Sequence, residues 1–268
     1  ELEAEVVPAG LSVEGTGAGG GQLPGDERHL VVRAMRAAFA EMGASPPGLR
    51  LSCRNLVPHT RGLGSSSAAI VGGLVLARGL VAGGSLLLDD QALFRLAATM
   101  EGHPDNVAPA LFGGFVISGC QEGAFFAVPS AVDPRVGVVV FVPPEAVSTR
   151  TARGLLPAQV PHADAAADAG RAALLVAALA GQPEHLLLAT RDYLHQDYRR
   201  PAMPASIDLV ERLRADGVPA VVSGAGPTVL AFADGTLTST TRRLLTQAPT
   251  GWAVHHLTVD RDGARVEG

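Results

Sequence analysis

Residues 58–67 read Pro58-His59-Thr60-Arg61-Gly62-Leu63-Gly64-Ser65-Ser66-Ser67. A predicted strand at 49–56 precedes this segment, and a mostly apolar stretch at 68–82 follows it. Glycines permit positive φ and a close backbone approach, and the first N–H groups of a helix lack intrahelical partners. The order strand, glycine–serine turn, buried helix therefore predicts a phosphate-binding site. The alternative is a turn that only caps a core helix, because serine is a common N-cap residue.

Lysine is absent from the chain, so all 21 basic residues are arginines. A Walker-type phosphate loop, a protein-kinase strand lysine and a Schiff-base enzyme each require a lysine, so these chemistries are excluded. Charge neutralisation at residues 58–67 must then come from a metal ion, the helix dipole and arginine.

The composition predicts an ordered protein of one large or two small domains. The chain has 268 residues, of which 47% are apolar and 18% charged, enough for a real core. A net charge of −5 offers no basic surface for nucleic acid or an anionic membrane. The longest uncharged apolar run, 68–77, is shorter than the roughly 20 residues of a membrane helix. With no visible secretion signal and two cysteines expected to be buried thiols, we expect a cytoplasmic protein.

A second polar segment follows the predicted helix 89–100 and reads Glu101-Gly102-His103-Pro104-Asp105-Asn106. Carboxylates at a helix C-terminus oppose the helix dipole unless a cation lies nearby. One carboxylate on Mg²⁺ and one on a substrate would remove that conflict. The alternative is a solvated polar turn.

Three further features are candidates for the same site. A tight glycine turn, 223–228, lies between two predicted strands and is either a wall beside residues 58–67 or a structural hairpin. Arg153 and Arg199 end short polar runs, although a single arginine is usually a solvated surface charge.

The eight histidines show no metal-ligand spacing, and no Gly-x-Ser-x-Gly motif supports a hydrolase.

The predicted elements of the second half follow the order β-α-α-α-β-β-α-β, typical of an α+β fold. They include strands at 136–142, 220–222 and 229–232 and a helix at 183–193. We predict two domains, residues 1–132 and 133–268, with a glycine-rich loop at 15–25.

Together these segments resemble the superfamily of galactokinase, homoserine kinase, mevalonate kinase and phosphomevalonate kinase. Residues 58–66 are similar to its phosphate loop and 223–228 to its C-terminal motif, and 101–110 resemble the homoserine kinases in particular. The resemblance extends over essentially the whole chain. It implies an N-terminal domain like domain 2 of ribosomal protein S5, followed by a ferredoxin-like domain.

The resemblance also implies a reaction, the transfer of the ATP γ-phosphoryl group to the hydroxyl of L-homoserine in threonine biosynthesis. Residues 58–67 would hold the triphosphate, with Gly224 and Gly226 beside them. Ser66 and Glu101 would share Mg²⁺.

The substrate roles are implied in the same way. Asp105 and Asn106 would hold the amine of homoserine and orient its hydroxyl, and Arg153 and Arg199 would clamp its carboxylate. Since no residue stands out as a general base, we expect Asn106 to position the hydroxyl, with Asp105 as a base being the rival hypothesis.

One departure from the superfamily pattern leaves alternatives open. The usual opening strand and Pro-x-x-x-Asn-Leu-Gly-Pro-Gly-Phe-Asp-like motif do not precede Glu1, so we expect either an upstream segment or a degenerate member. Another acceptor alcohol, such as mevalonate or a sugar, and a non-catalytic nucleotide-binding relative are the competing functions. Homoserine kinases are often dimeric, and a homodimer is therefore an expectation from the resemblance alone.

Overall fold

The computed structural model describes residues 1–19 and 23–267. The chain divides into two compact units, of which the first comprises Glu1–His59, Gly64–Pro129 and Asp260–Gly268, and the second Thr60–Leu63 and Ser130–Val259. Both units combine helices with β-strands, which confirms the predicted α+β class. The predicted domain boundary between residues 132 and 133 stays a prediction.

The first unit is built around a three-stranded sheet, a group of helices and a hairpin. Its elements are β1 (Leu2–Val6), β2 (Gly10–Gly17), α1 (Leu30–Glu41), β3 (Gly48–Asn55), α2 (Ser65–Leu80), α3 (Gly84–Leu87), α4 (Asp90–Glu101), α5 (Val107–Phe112), β4 (Phe115–Gln121) and β5 (Ala124–Ser130). β3 is the central strand, antiparallel to β1 and parallel to β2.

Alternating side chains of β3 explain how the sheet joins the core. Leu49, Leu51 and Cys53 are buried, whereas Arg50 and Ser52 between them are exposed, the period of a strand with one covered face. Helices α1 and α2 pack on each other in the same core. The central position of β3 fixes its end at Asn55, shortly before the predicted phosphate loop begins at Pro58.

The last residues of the chain complete the first unit. The backbone N–H of Ala264 donates to the carbonyl of Leu111 at 3.1 Å, and that of Gly114 donates to the carbonyl of Asp260 at 2.6 Å. The end of α5 is thus hydrogen-bonded to residues that lie far away in the sequence.

Gly48 marks a close crossing of the backbone, because residues 7–9 pass from β1 on one side of β3 to β2 on the other. A Cβ on Gly48 would lie 2.5 Å from the carbonyl carbon of Ala9. We expect Gly48→Ala to lower the free energy of unfolding by about 1–3 kcal/mol, measured by urea titration. The control Gly170→Ala, which meets no atom within 4 Å, should raise it by about 0.5–1 kcal/mol. Equal stability of the two variants would contradict this account.

The second unit contains a four-stranded antiparallel sheet in the order β7-β8-β6-β9. Its elements are β6 (Val136–Val142), α6 (Thr149–Gly154), α7 (His162–Gly181), a 3-10 turn (Pro183–His185), α8 (Leu186–Ala189), α9 (Gln196–Arg199), a second 3-10 turn (Arg200–Ala202), α10 (Pro204–Ala215), β7 (Ala220–Val222), β8 (Val229–Asp234), α11 (Ser239–Leu245) and β9 (Ala253–Thr258). Buried residues of β6, including Val139 and Phe141, form a core with Ile207 and Leu213 of α10.

Some sequence predictions are wrong in detail. The helix predicted at 183–193 is replaced by a 3-10 turn and the single turn α8, which ends at Ala189. Cys53 is buried, but Cys120 is exposed on β4. Part of the predicted loop 15–25 extends β2 to Gly17, and residues 20–22 of it lie outside the described residues. In the part of the chain that the structure describes, every helix is too short or too polar to cross a membrane.

Candidate active site

The start of α2 carries the first half of the predicted site. Gly64 precedes the helix with φ of +69°, and its lack of a side chain leaves the first turn without a side-chain cap. Among the described residues, no side chain caps the N–H groups of Ser65, Ser66 and Ser67 at the positive end of the helix dipole. This is the geometry that the sequence predicted for an anion site.

Glu101 joins this helix terminus from α4. The hydroxyls of Ser66 and Ser67 both donate to Oε1 of Glu101, at 2.5 and 2.9 Å. Glu101 is the last residue of α4, and Gly102 ends the helix with φ of +86°. The structure thus brings together Ser66 and Glu101, the pair predicted to share a metal ion, and adds Ser67.

Asp105 and Asn106 follow on the loop before α5. Asn106 is partly buried, and a Cβ built on Gly64 would lie 3.8 Å from its Oδ1, so the amide faces the start of α2. The side chain of Asp105 is exposed. Its Oδ1 lies 2.5 Å from Nδ1 of His103, a close contact without the alignment of a hydrogen bond.

His59 connects β3 with α2. Its ring Nε2 lies 3.1 Å from Nδ2 of Asn55, at the end of β3, and its Nδ1 lies 2.9 Å from Oγ of Ser65. The histidine predicted as part of the phosphate loop therefore contacts the first hydroxyl of the helix.

In the second unit, residues 60–63 pack against the predicted glycine turn 223–228. The Ser223 hydroxyl donates to the carbonyl of Gly62 at 2.7 Å, and the Thr228 N–H donates to that of Arg61 at 3.2 Å. A Cβ on Gly62, whose φ is +74°, would lie 2.2 Å from the carbonyl oxygen of Ser223. Only glycine fits this contact without displacing the turn.

The glycines of that turn have backbone conformations that favour glycine. Gly224 has φ of +55° and Gly226 has φ of +81°. The carbonyl of Gly224 accepts a hydrogen bond from Nη1 of Arg199 at 2.8 Å. The turn therefore contacts both residues 60–63 of the predicted phosphate loop and one of the two predicted substrate-binding arginines.

Arg199 is a buried cation, with 7% of its surface exposed. Its Nε has no hydrogen-bond partner among the described residues. Burial lowers the pKa of Arg199; the charge of Asp192 opposes this shift, and the positive charge of Arg153 adds to it. Arg153 itself is exposed near the end of α6. Two guanidinium groups within electrostatic reach, one of them desolvated, favour binding of an anion.

Asp192, whose charge acts on Arg199, and Gln196, in the same short helix as Arg199, were not among the predicted site residues. The carboxylate of Asp192 accepts hydrogen bonds from the His195 ring, at 2.8 Å, and from the Gln196 N–H. Burial would raise the pKa of Asp192, but these hydrogen bonds outweigh it and hold the pKa below its usual range. The Gln196 side chain accepts from the N–H of Val222 at 2.7 Å. Gln196 stands within the short polar run that Arg199 ends, but its partner Val222 lies too far along the chain to be inferred from spacing.

Within the described residues, the three side chains Asp168, Asp192 and His195 lie close enough to hold a metal ion. The carboxylates of this group already accept hydrogen bonds within the protein. Asp168 accepts from the N–H of Tyr193 at 3.1 Å, and Asp192 accepts from the ring of His195 at 2.8 Å. Burial raises the pKa of Asp168. The predicted metal residues Ser66 and Glu101 are not part of it.

Family models match both halves of the chain. Residues 29–114 match the model of the GHMP kinases N terminal domain, and residues 172–242 match that of the GHMP kinases C terminal domain. A homoserine kinase of Streptomyces avermitilis is 55% identical over 266 residues, which cover 99% of this chain and 86% of that protein. A homoserine kinase of Mycolicibacterium smegmatis is 48% identical over 86% of this chain and 75% of that protein.

Solved structures agree with this relationship. A homoserine kinase from Cytophaga hutchinsonii superposes with a TM-score of 0.86 at 24% identity, covering 98% of this chain and 86% of that one, and supports the fold. A putative homoserine kinase from Listeria monocytogenes gives a TM-score of 0.71 at 29% identity, covering 98% of this chain and 87% of that one. The chain therefore belongs to the GHMP kinase family of ATP-dependent small-molecule kinases and, within it, to the homoserine kinases.

Proposed function

We propose that this chain transfers the γ-phosphoryl group of ATP to the side-chain hydroxyl of L-homoserine, forming O-phospho-L-homoserine for threonine biosynthesis. The observation that carries the proposal is the group formed by Ser66, Glu101 and Asn106 at the uncapped start of α2. A phosphate-binding helix terminus, a carboxylate and a hydroxyl-positioning amide are the parts that phosphoryl transfer to an alcohol requires.

The nucleotide is assigned to the phosphate loop. The N–H groups of the first turn of α2 and the glycine backbone at Gly62 and Gly64 would bind phosphate oxygens. In a chain without lysine, the helix dipole, arginine and a bound cation have to balance the charge of the triphosphate.

The residues at this helix terminus fit Mg²⁺. The Ser66 hydroxyl oxygen and Glu101 Oε1, 2.5 Å apart, are hard oxygen donors of the kind that Mg²⁺ prefers. Bound there, Mg²⁺ would neutralise charge on the β- and γ-phosphate oxygens. The Ser67 hydroxyl, which also donates to Glu101, would keep the carboxylate oriented.

The acceptor is assigned to Asp105, Asn106, Arg153 and Arg199. The two arginines would bind the carboxylate of homoserine, since a guanidinium fork matches a carboxylate and Arg199 Nε is buried without a described partner. Asp105, an exposed carboxylate, would hold the amine.

Asn106 is the positioning group of the proposed mechanism. It would hold the hydroxyl in line with the γ-phosphate, so that the new O–P bond forms as the bond to ADP breaks. The hydroxyl proton would pass late to an oxygen of the transferred phosphoryl group, because the transition state of phosphoryl transfer is loose. The rival mechanism has Asp105 remove the proton as a general base.

We expect Asn106→Ala to lower kcat by about 100-fold while leaving the KM for ATP nearly unchanged. Steady-state kinetics of ADP release measure both. Near-normal turnover would eliminate the positioning role of Asn106. Asp105→Asn then separates the two mechanisms, because a loss mainly in KM indicates amine binding and a loss mainly in kcat indicates proton transfer.

Homoserine-dependent ADP release tests the function itself. With MgATP, we expect turnover with L-homoserine and none with mevalonate or galactose. Turnover with another alcohol would transfer the assignment to that acceptor. ATP binding without ADP release with any of the three would favour a non-catalytic relative.

The surroundings of the enzyme are part of the proposal. We place the reaction in the cytoplasm, without nucleic acid as a partner, since the chain is acidic and its described helices do not span a membrane. We also propose a homodimer, for which sedimentation velocity is the test.

A further inference from the structure

The side chain of Asn55 has a fixed orientation at the end of β3. Its Oδ1 accepts from the N–H of Val57 at 3.0 Å, and its Nδ2 donates to the carbonyls of Ala18 and Val57 at 3.0 and 2.9 Å. A backbone N–H can only donate and a carbonyl can only accept, so an exchange of the amide oxygen and nitrogen would break all three contacts. The atom that Asn55 presents to His59 is therefore the amide nitrogen, whose two hydrogens are directed at the carbonyls of Ala18 and Val57 and which cannot accept a hydrogen bond.

This amide nitrogen determines the proton position on His59. Ring Nε2 lies 3.1 Å from Asn55 Nδ2, and an N–H on Nε2 would point at a nitrogen that cannot accept it. The neutral ring therefore carries its proton on Nδ1 and leaves Nε2 unprotonated. Since Nδ1 lies 2.9 Å from Ser65 Oγ, His59 donates to the serine hydroxyl.

The direction of that hydrogen bond leaves the hydroxyl hydrogen of Ser65 available. Ser65 is the first residue of α2, beside the uncapped N–H groups to which the triphosphate is assigned. We propose that His59 is a positioning residue that holds Ser65 as a hydrogen-bond donor to a phosphate oxygen of the nucleotide. The inference rests on the proposed binding of ATP at this loop and extends it to a chain of three side chains, Asn55, His59 and Ser65.

A purely structural role of His59 makes a different prediction. The ring is packed closely, since a Cβ on Gly19 would lie 2.6 Å from its Cδ2. If the ring only filled space, each variant at His59 would be impaired in proportion to the side-chain volume that it loses. If His59 instead acts through a directed hydrogen bond, two amide side chains of similar chemistry should differ in their effect, because they place the amide nitrogen at different positions.

His59→Asn and His59→Gln form this matched pair. The amide nitrogen of asparagine takes the place of ring Nδ1 and retains a donor to Ser65, whereas that of glutamine reaches the place of Nε2 and does not. We expect His59→Asn to keep the KM for ATP within about threefold of the parent and His59→Gln to raise it about tenfold, with smaller changes in kcat and in the KM for homoserine. Thermal unfolding should change equally in the two variants.

A double-mutant cycle with Ser65→Ala completes the test. Ser65→Ala should match His59→Gln, and the double variant should lose no more than either single variant. Equal impairment of His59→Asn and His59→Gln, or fully additive losses with Ser65→Ala, would overturn the proposal. The dissociation constant of MgADP, measured by calorimetry, repeats the comparison without turnover. If the chain binds MgADP but does not phosphorylate homoserine, the proposed function is wrong. The binding comparison between the variants still tests the role of His59 in that case.

Discussion

Glu101→Gln is expected to lower kcat by about 100- to 1000-fold, because it removes the negative charge proposed to hold Mg²⁺. Glutamine has nearly the same shape, and its Oε1 can still accept from the hydroxyls of Ser66 and Ser67. The loss should therefore be in catalysis and in the Mg²⁺ concentration for half-maximal rate, with little change in thermal stability. ADP-release kinetics at graded Mg²⁺ measure both quantities.

Glu41→Gln is the matched control for this substitution. Glu41 is exposed and is the last residue of α1, as Glu101 is the last residue of α4, and both helices have 12 residues. We expect Glu41→Gln to behave like the parent chain. If Glu101→Gln kept its rate and its dependence on Mg²⁺, the metal assignment would be wrong.

Arg199→Ala is expected to raise the KM for homoserine by about 100-fold, with a smaller effect on the KM for ATP. The guanidinium is already desolvated in the folded chain, so a substrate carboxylate would meet a cation that has few competing water contacts. Arg199→Lys should recover part of the loss, because lysine restores the charge but not the planar fork.

The adjacent Arg200 supplies the control for charge removal. It is a surface residue paired with Asp208, at 2.5 Å, and with Glu211. Arg200→Ala should leave both KM values unchanged. A change in the KM for ATP as large as that for homoserine would mean that Arg199 acts through its contact with Gly224 and not on the carboxylate.

The local parts of the site were predictable because their chemistry follows from short spacing. The glycines and serines of residues 58–67 indicate a turn and a helix terminus after a strand, and α2 begins at Ser65 in the structure. The run from Glu101 to Asn106 indicated a metal and a substrate ligand, and its two ends lie beside α2. The individual roles of these residues stay predictions until the variants above are measured.

Contacts between segments that lie far apart in the chain could not be predicted from the sequence. Nothing in the spacing joins Gln196 to Val222 or Ser223 to Gly62, because backbone carbonyls and N–H groups are the same at every position. The strand β5 was missed because its hairpin turns at Glu122-Gly123, without the usual asparagine or aspartate signal, and contains Pro129 near its end. The helix predicted at 183–193 failed because apolar spacing alone does not reveal where a helix stops.

The return of residues 260–268 to the first unit affects the order of events during biosynthesis. Chains fold as they are made, from the N-terminus onward. The hydrogen bonds from Ala264 to Leu111 and from Gly114 to Asp260 must wait for the final segment, whereas every residue of the second unit has been made by Val259. The first unit is thus completed after the second, and until residues 260–264 are made the end of α5 lacks these partners. Such closure by a distant segment is a slow step, because the entropy of a long loop is lost before its contacts form.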